Sequence, residues 1–217
     1  MMTWGAALFD LDGVVFDTEP QYSVFWGMQM RRYFPDKEGL ENAIKGQTLT
    51  QIMDAYFAND PQAQKDIVKQ LDDFERGMDF RYVDGFCDFI QDLRGHGVKT
   101  ALVTSSNDMK MASVYRSRPE VRGFFDEILT AESFTESKPS PECYLKGAAL
   151  LGFAPAECVG FEDSFNGLKS VRAAGMHVVG LSTTNPEESI RPYSECVIAD
   201  YLSMDYDMLV KTFYPEC

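Results

Sequence analysis

Short apolar runs recur along this chain at residues 5–9, 98–103, 158–161, 177–181 and 196–198, each separated from the next by segments of helical period. Runs this short and this apolar suit strands buried on both faces. Strands that alternate with helices fold as a doubly wound parallel sheet, an α/β class. Helices are predicted at about 86–93, closed by Gly95-His96-Gly97, and at about 109–115, 142–151 and 166–174, where Gly175 supplies a C-cap. A weaker strand is predicted at 124–129.

One long stretch breaks the alternation. Between Glu19 and Arg81 no strand is convincing, and Tyr22, Phe25, Trp26, Met30 and Tyr33 recur at helical spacing. Leu40, Ile44, Ile52, Met53, Tyr56 and Phe57 follow, then Ile67, Val68, Leu71, Phe74 and Met78. This stripe reads as helix packing. The expected organisation is a sheet-bearing core of residues 1–16 and 83–217, interrupted by a helical cap at 17–82. Phe16-Asp17-Thr18 and Tyr82-Val83-Asp84-Gly85 are then the hinges.

The formal net charge of −14 argues against a nucleic-acid partner and against an anionic membrane, since both need clustered Lys and Arg. No run of about 20 apolar residues marks a transmembrane helix. Met1-Met2-Thr3-Trp4 lacks the basic start of a signal peptide. Cys87, Cys143, Cys158, Cys196 and Cys217 are scattered and odd in number, without a Cys-x-x-Cys. They are expected to be reduced, mostly buried thiols of a cytoplasmic protein, and His96 and His177 do not complete a zinc site with them. A monomer is expected.

The first apolar run ends in Asp10-Leu11-Asp12-Gly13. Residues i and i+2 of an extended chain face one side. Two carboxylates so placed repel, so either a divalent cation joins them or one carboxyl is driven to protonate. A turn with a solvated acidic face is the plain alternative. Polar groups also follow two other strands, as Thr104-Ser105 and Glu162-Asp163, and Lys138 precedes a helix before Pro139. Each alone could be a helix N-cap or a solvated lysine. In an open parallel sheet, however, ligands bind beyond the carboxyl ends of the strands, where all four would meet.

Four motifs occur in order: Asp10-Leu11-Asp12-Gly13-Val14-Val15-Phe16-Asp17-Thr18, Val103-Thr104-Ser105, Lys138-Pro139-Ser140-Pro141-Glu142 and Gly160-Phe161-Glu162-Asp163-Ser164. As a set they resemble the haloacid dehalogenase-like hydrolase superfamily, in its phosphatase and β-phosphoglucomutase branch with an α-helical cap. The resemblance covers nearly the whole chain. It implies a Rossmann-like core and a Mg²⁺-dependent phosphatase acting on a small phosphorylated metabolite. Asp10 would be the nucleophile that forms an aspartyl-phosphate, and Asp12 the general acid and then base. Asp10, Asp163, the backbone carbonyl of Asp12 and, as ligand or as a partner behind the ligands, Glu162 would hold the metal. Thr104, Lys138 and the backbone N–H groups of Leu11 and Ser105 would bind the phosphoryl group. The dehalogenases of this superfamily lack an acid at the position of Asp12. A halide leaves without a proton and an alkoxide does not, which favours phosphate chemistry.

A β-phosphoglucomutase-type mutase is the alternative. Its resemblance calls for a His in the first cap segment and an Arg in the cap loop, where this chain has Tyr22 and Leu49. Losing the arginine removes a bidentate anchor for a second phosphate, and hydrolysis is favoured. Lys45, Gln47, Thr48 and Asn107 are the candidates for contact with the leaving group, with Ser106 beside them; a solvated surface charge is an equal reading for Lys45. A receiver-type signalling domain shares an acidic cluster, a Thr or Ser and a Lys, but not the helical insert. A catalytically silent protein on this fold is disfavoured by the intact motif set.

Overall fold

The computed structural model describes residues 5–213; Met1–Trp4 and Cys217, on which two of the expectations above fall, lie outside the described residues. Six strands form one parallel sheet in the order β3-β2-β1-β4-β5-β6. They are β1 Ala6–Phe9, β2 Lys99–Val103, β3 Glu127–Leu129, β4 Cys158–Glu162, β5 His177–Leu181 and β6 Cys196–Ile198. Helices α1 Glu19–Tyr33, α2 Leu40–Ala43, α3 Leu49–Tyr56 and α4 Pro61–Arg76 all fall between β1 and β2. After them come α5 Phe86–Gly95, α6 Asp108–Ser117, α7 Glu142–Leu151, α8 Phe165–Ala173, α9 Glu187–Ile190 and α10 Tyr206–Phe213. The weak strand expected at 124–129 is only its last three residues, because Pro119–Phe124 winds as a 3₁₀ turn. Nothing in the sequence reading corresponds to α9 and α10.

Strand alternation divides the core in two. Ala7 and Phe9 of β1 join Leu102, Phe161 and the α5 residues Phe86, Phe89 and Leu93 on one face. Ala6 and Leu8 join Val103, Tyr144 and Leu168 under α7 and α8 on the other. Phe9 stacks on Phe161 with ring centroids 4.4 Å apart and meets Phe86 edge-on at 5.8 Å. Burying a side chain of this size contributes about 1.5–3 kcal/mol, and this aromatic column fixes the strand that delivers Asp10.

The insert closes over its own apolar cluster, built from Phe25, Trp26, Ile52, Phe57, Ile67 and Leu71 among others. Met78, expected in that stripe, packs in the sheet core instead. Asp60 caps α4 by accepting from Ala63 N at 2.9 Å, with Pro61 at the first helical position. The two connections to the core run side by side: Asp17 N donates to Arg81 O at 2.9 Å and Val83 N to Val15 O at 3.0 Å. Cys143 and Cys158 are buried, Cys87 and Cys196 half-buried, and all four are free thiols. Among the described residues no helix is long and apolar enough to cross a membrane.

Candidate active site

The carboxyl ends of the central strands place the polar residues. Asp10 follows β1, Thr104 follows β2, Glu162 ends β4 and Asp163 comes next. Lys138, from the loop before α7, is only 5% exposed and reaches two of these acids, Asp10 and Glu162. Its Nζ donates to Asp10 Oδ1 at 2.6 Å, to Glu162 Oε1 at 2.6 Å and to the Val103 carbonyl at 2.9 Å. The three ammonium protons are thereby used. Burial alone would lower the lysine pKa, but Asp10 and Glu162 outweigh it and hold Lys138 above its ordinary value.

Glu162 is fully satisfied where it stands. Oε1 also accepts from Tyr144 OH at 2.9 Å, and Oε2 accepts from Asp163 N and Ser164 Oγ, each at 3.2 Å. A Cβ on Gly167 would lie 1.8 Å from its Cδ, so only glycine admits this carboxylate at the start of α8. Asp163 Oδ2 accepts from Thr184 Oγ1, a rim residue after β5 that the sequence reading did not include. Gly13 sits at φ +72°, and a Cβ there would lie 2.0 Å from Asp163 Oδ2. The glycine after the acidic pair therefore makes room for an acid from another strand.

Carboxylate oxygens of Asp10, Glu162 and Asp163 lie within 4.8 Å of one another. Burial first, then Glu162 and Asp12, push the Asp10 carboxyl up to about 7 against the pull of Lys138. Burial first, then Glu162 and Asp10, push Asp163 well above the carboxylate range. Were all three carboxyls ionised, one lysine would leave two negative charges in the cluster, and an unneutralised buried carboxylate costs several kcal/mol. A hard divalent cation supplies the missing charge, and an all-oxygen donor set suits one.

The carboxylate of Asp12 does not join this cluster. Asp12 N donates to Asp10 Oδ2 at 3.1 Å, but the Asp12 side chain turns to Thr18 and to the loop and helix that follow β2. Oδ1 accepts from Thr18 Oγ1 at 2.6 Å, and Oδ2 accepts from Ser106 Oγ at 3.2 Å and Lys110 Nζ at 2.5 Å. The Asp12 carboxylate thus stands apart from the three-acid cluster; the metal role expected of Asp12 falls on its backbone carbonyl and not on this side chain. The two carboxyls meet different cations, which relieves the repulsion that their spacing creates.

Lys110 was absent from the sequence reading, and Thr18 entered it only as the end of the first motif and part of the hinge. Lys110, 3% exposed, lies on the buried face of α6 with Met111 and Val114, and a lysine on an apolar helix face signals a buried partner. Its Nζ stands 4.8 Å from the centre of the Tyr22 ring, and Tyr22 OH donates to Glu75 Oε1 at 2.6 Å.

Asp10, Asp12, Thr104, Ser105, Lys138, Glu162 and Asp163 open onto a cavity of about 420 Å³ that extends under the insert. Leu11 is fully buried beside it. Thr104 Oγ1 accepts from Ser106 N at 3.0 Å, while Ser105 is exposed. Lys45, Gln47, Thr48 and Asn107 also line the cavity, but three of them have structural duties. Thr48 caps α3 in a box with Gln51, Asn107 caps α6 by accepting from Lys110 N at 2.9 Å, and Gln47 Nε2 donates to Ala43 O at 2.9 Å. Asn166, another residue missing from the sequence reading, ties insert to core. Its Nδ2 donates to Gly46 O at 3.2 Å and Gln51 Oε1 at 2.9 Å.

A family model of haloacid dehalogenase-like hydrolases matches residues 4–175. The chain belongs to this family. The haloacid dehalogenase-like hydrolase described here is 31% identical over 182 residues to hexitol phosphatase A of Escherichia coli, covering 81% of this chain and 82% of that protein. It is 27% identical over 189 residues to the fructose-1-phosphate phosphatase YqaB of the same organism, covering 81% and 95%. It is an enzyme of the phosphohydrolase kind. The fold matches a family IA hydrolase of Entamoeba histolytica with a TM-score of 0.84 at 20% identity, over 96% of this chain and 99% of that one. It also matches CbbY of Rhodobacter sphaeroides, solved with xylulose-(1,5)bisphosphate, with a TM-score of 0.76 at 20% identity over 93% and 96%.

Proposed function

We propose that this enzyme hydrolyses small phosphomonoesters, sugar phosphates among them, with Mg²⁺ and through an aspartyl-phosphate on Asp10. The observation that carries this is the division of labour between the two acids: Asp10 sits on Lys138 inside the acidic cluster, while Asp12 is held apart, facing the cavity. The hexitol and fructose-1-phosphate phosphatases among its relatives support the substrate class.

Asp10, Asp163 and the Asp12 carbonyl would hold the ion, with Glu162 acting through Lys138. Bound there, Mg²⁺ supplies charge neutralisation for the carboxylates and for a transferring phosphoryl group. A carboxylate oxygen of Asp10 attacks phosphorus, and the bond from phosphorus to the leaving oxygen breaks. Asp12 gives that oxygen its proton, so the product departs as an alcohol. Asp12, now a carboxylate, takes a proton from water as the water oxygen attacks the same phosphorus. The bond to Asp10 breaks and inorganic phosphate is released. Thr104, Lys138 and the backbone N–H groups of Leu11 and Ser105 would receive the equatorial oxygens, which is the positioning such transfers depend on.

Helices α1–α4 would act as a cap that excludes water, moving on the paired connections at Asp17 and Val83. Leu49 lines the cavity where a mutase-like chain would place an arginine, so no planar clamp holds a second phosphate and water is the acceptor. The test is phosphate release from glucitol 6-phosphate and fructose 1-phosphate with Mg²⁺ and with EDTA, together with acid-stable or fluoride-trapped labelling of Asp10. Release that ignores chelation, or undiminished release by Asp10→Asn, refutes the proposal.

A further inference from the structure

Beyond the catalytic residues the cavity runs into the insert, where its wall is acidic. Glu19, Asp72 and Glu75 face it. Glu19 Oε2 is buried, and no donor among the described residues reaches it. Glu75 keeps one hydrogen bond, from Tyr22 OH. Of the three lysines that line the cavity, Lys138 is engaged by Asp10 and Glu162 and Lys110 by Asp12, and Lys45 acts on Glu19 through its field alone. Burial pushes the Glu19 carboxyl up to about 7, which is the state of an acid whose charge lacks a neutralising partner. Trp26, Ile52 and Leu71 supply an apolar surface in the same cavity.

A ligand entering this space is sorted by charge. A second phosphate or a carboxylate would be driven toward like charges in a cavity walled by protein, at a cost that rises as the dielectric falls. A protonated amine would give Glu19 Oε2 the donor it lacks and would neutralise part of the wall. Its carbon skeleton could lie on the Trp26 face. On the basis of the phosphohydrolase function given above, we infer that the pocket selects the leaving alcohol by charge. Phosphomonoesters of amine-bearing alcohols are preferred over neutral ones, and those carrying a further anionic group are refused. Glu19 and Glu75 are the specificity-determining residues.

The experiment compares three esters of similar size: glucosamine 6-phosphate, glucose 6-phosphate and 6-phosphogluconate. p-Nitrophenyl phosphate serves as a general substrate, and kcat/KM is measured at fixed Mg²⁺. The expected order is cationic, neutral, anionic, with the extremes separated by about tenfold or more. Glu19→Gln and Glu75→Gln should each shrink that ratio by about threefold, with the loss in KM rather than kcat. An equal or reversed order overturns the inference. So does a ratio unchanged in both variants, or turnover of p-nitrophenyl phosphate with none of the three sugars accepted. Should one variant fail to fold, the other and the wild-type order still decide. Absence of release from all four esters refutes the phosphohydrolase function itself, and the charge selection with it.

Discussion

Lys110 Nζ and Asp12 Oδ2 stand 2.5 Å apart, joining a helix of the core to the acid that follows β1. The lysine is 3% exposed and Asp12 is open to the cavity, so the pair is desolvated from one side only. With Thr18 and Ser106 it leaves Asp12 a single orientation. Lys110→Met keeps the apolar stem and removes the donor. It should lower kcat by about hundredfold, the lower end of what proton-transfer catalysis contributes, with a smaller change in KM. Steady-state kinetics, checked against an unchanged circular dichroism spectrum, would show it. A variant with full kcat would free Asp12 from this partner.

Asp10→Asn retains the shape of the side chain and an acceptor for Lys138 but abolishes the nucleophile. Turnover should fall by about 10⁴ or more. Folding should survive, because the change removes one negative charge from a cluster that has too many. The measurement is phosphate release beside a thermal melt of the metal-free protein, whose midpoint should stay level or rise.

The central strands were legible because burial on both faces writes them as unbroken apolar runs, as in β4 and β5; the half-buried edge strand β6 still lies where an apolar run stands. Their polar successors were legible too, since Asp10, Thr104 and Asp163 each immediately follow a strand. Lys110, Tyr22 and Glu75 come from helices and meet only in the tertiary fold: Lys110 and Asp12 are 98 positions apart. Thr184 followed a recognised strand and could have been found by the rule that found Thr104. Helix α10 carries Tyr206, Leu209, Val210 and Phe213 at helical spacing, but in one short segment whose partners in the core the sequence does not name.

Removing metal should make stability fall as pH rises. The Asp10 carboxyl titrates near 7 in the metal-free fold, mainly through burial, against an ordinary value of 3.8. A raised folded value means the native state holds its proton longer than the unfolded chain. The resulting stabilisation is complete below about pH 4 and is lost between there and about pH 7, at a cost of a few kcal/mol. Mg²⁺ binds the deprotonated cluster, so it should restore the loss. Melting in EDTA should drop by several degrees between pH 5.5 and pH 8, and millimolar Mg²⁺ should raise the midpoint more at pH 8 than at pH 5.5. An EDTA-treated protein with a flat profile, or one that Mg²⁺ stabilises equally at both pH values, would contradict the metal assignment.

Asn166 makes the side-chain contact through which the first turn of α8 grips the insert, donating to Gly46 O and Gln51 Oε1. Gly46 is at φ +71°, and its Cα approaches Ser164 so closely that a Cβ would lie 3.0 Å from the serine Cβ. The loop therefore seats against the core by shape as well as by hydrogen bonds. Asn166→Ala deletes two bonds worth about 0.5–1.5 kcal/mol each and leaves their acceptors near solvent. Closure should be less favourable, raising KM by severalfold to tenfold while kcat changes less, since Asp10, Asp12 and Lys138 are untouched. Amide exchange should quicken in α3 and the loop before it, and not in the sheet. If KM and exchange both stay at wild-type values, the insert is held closed by its apolar packing alone, and the seat at Asn166 is passive.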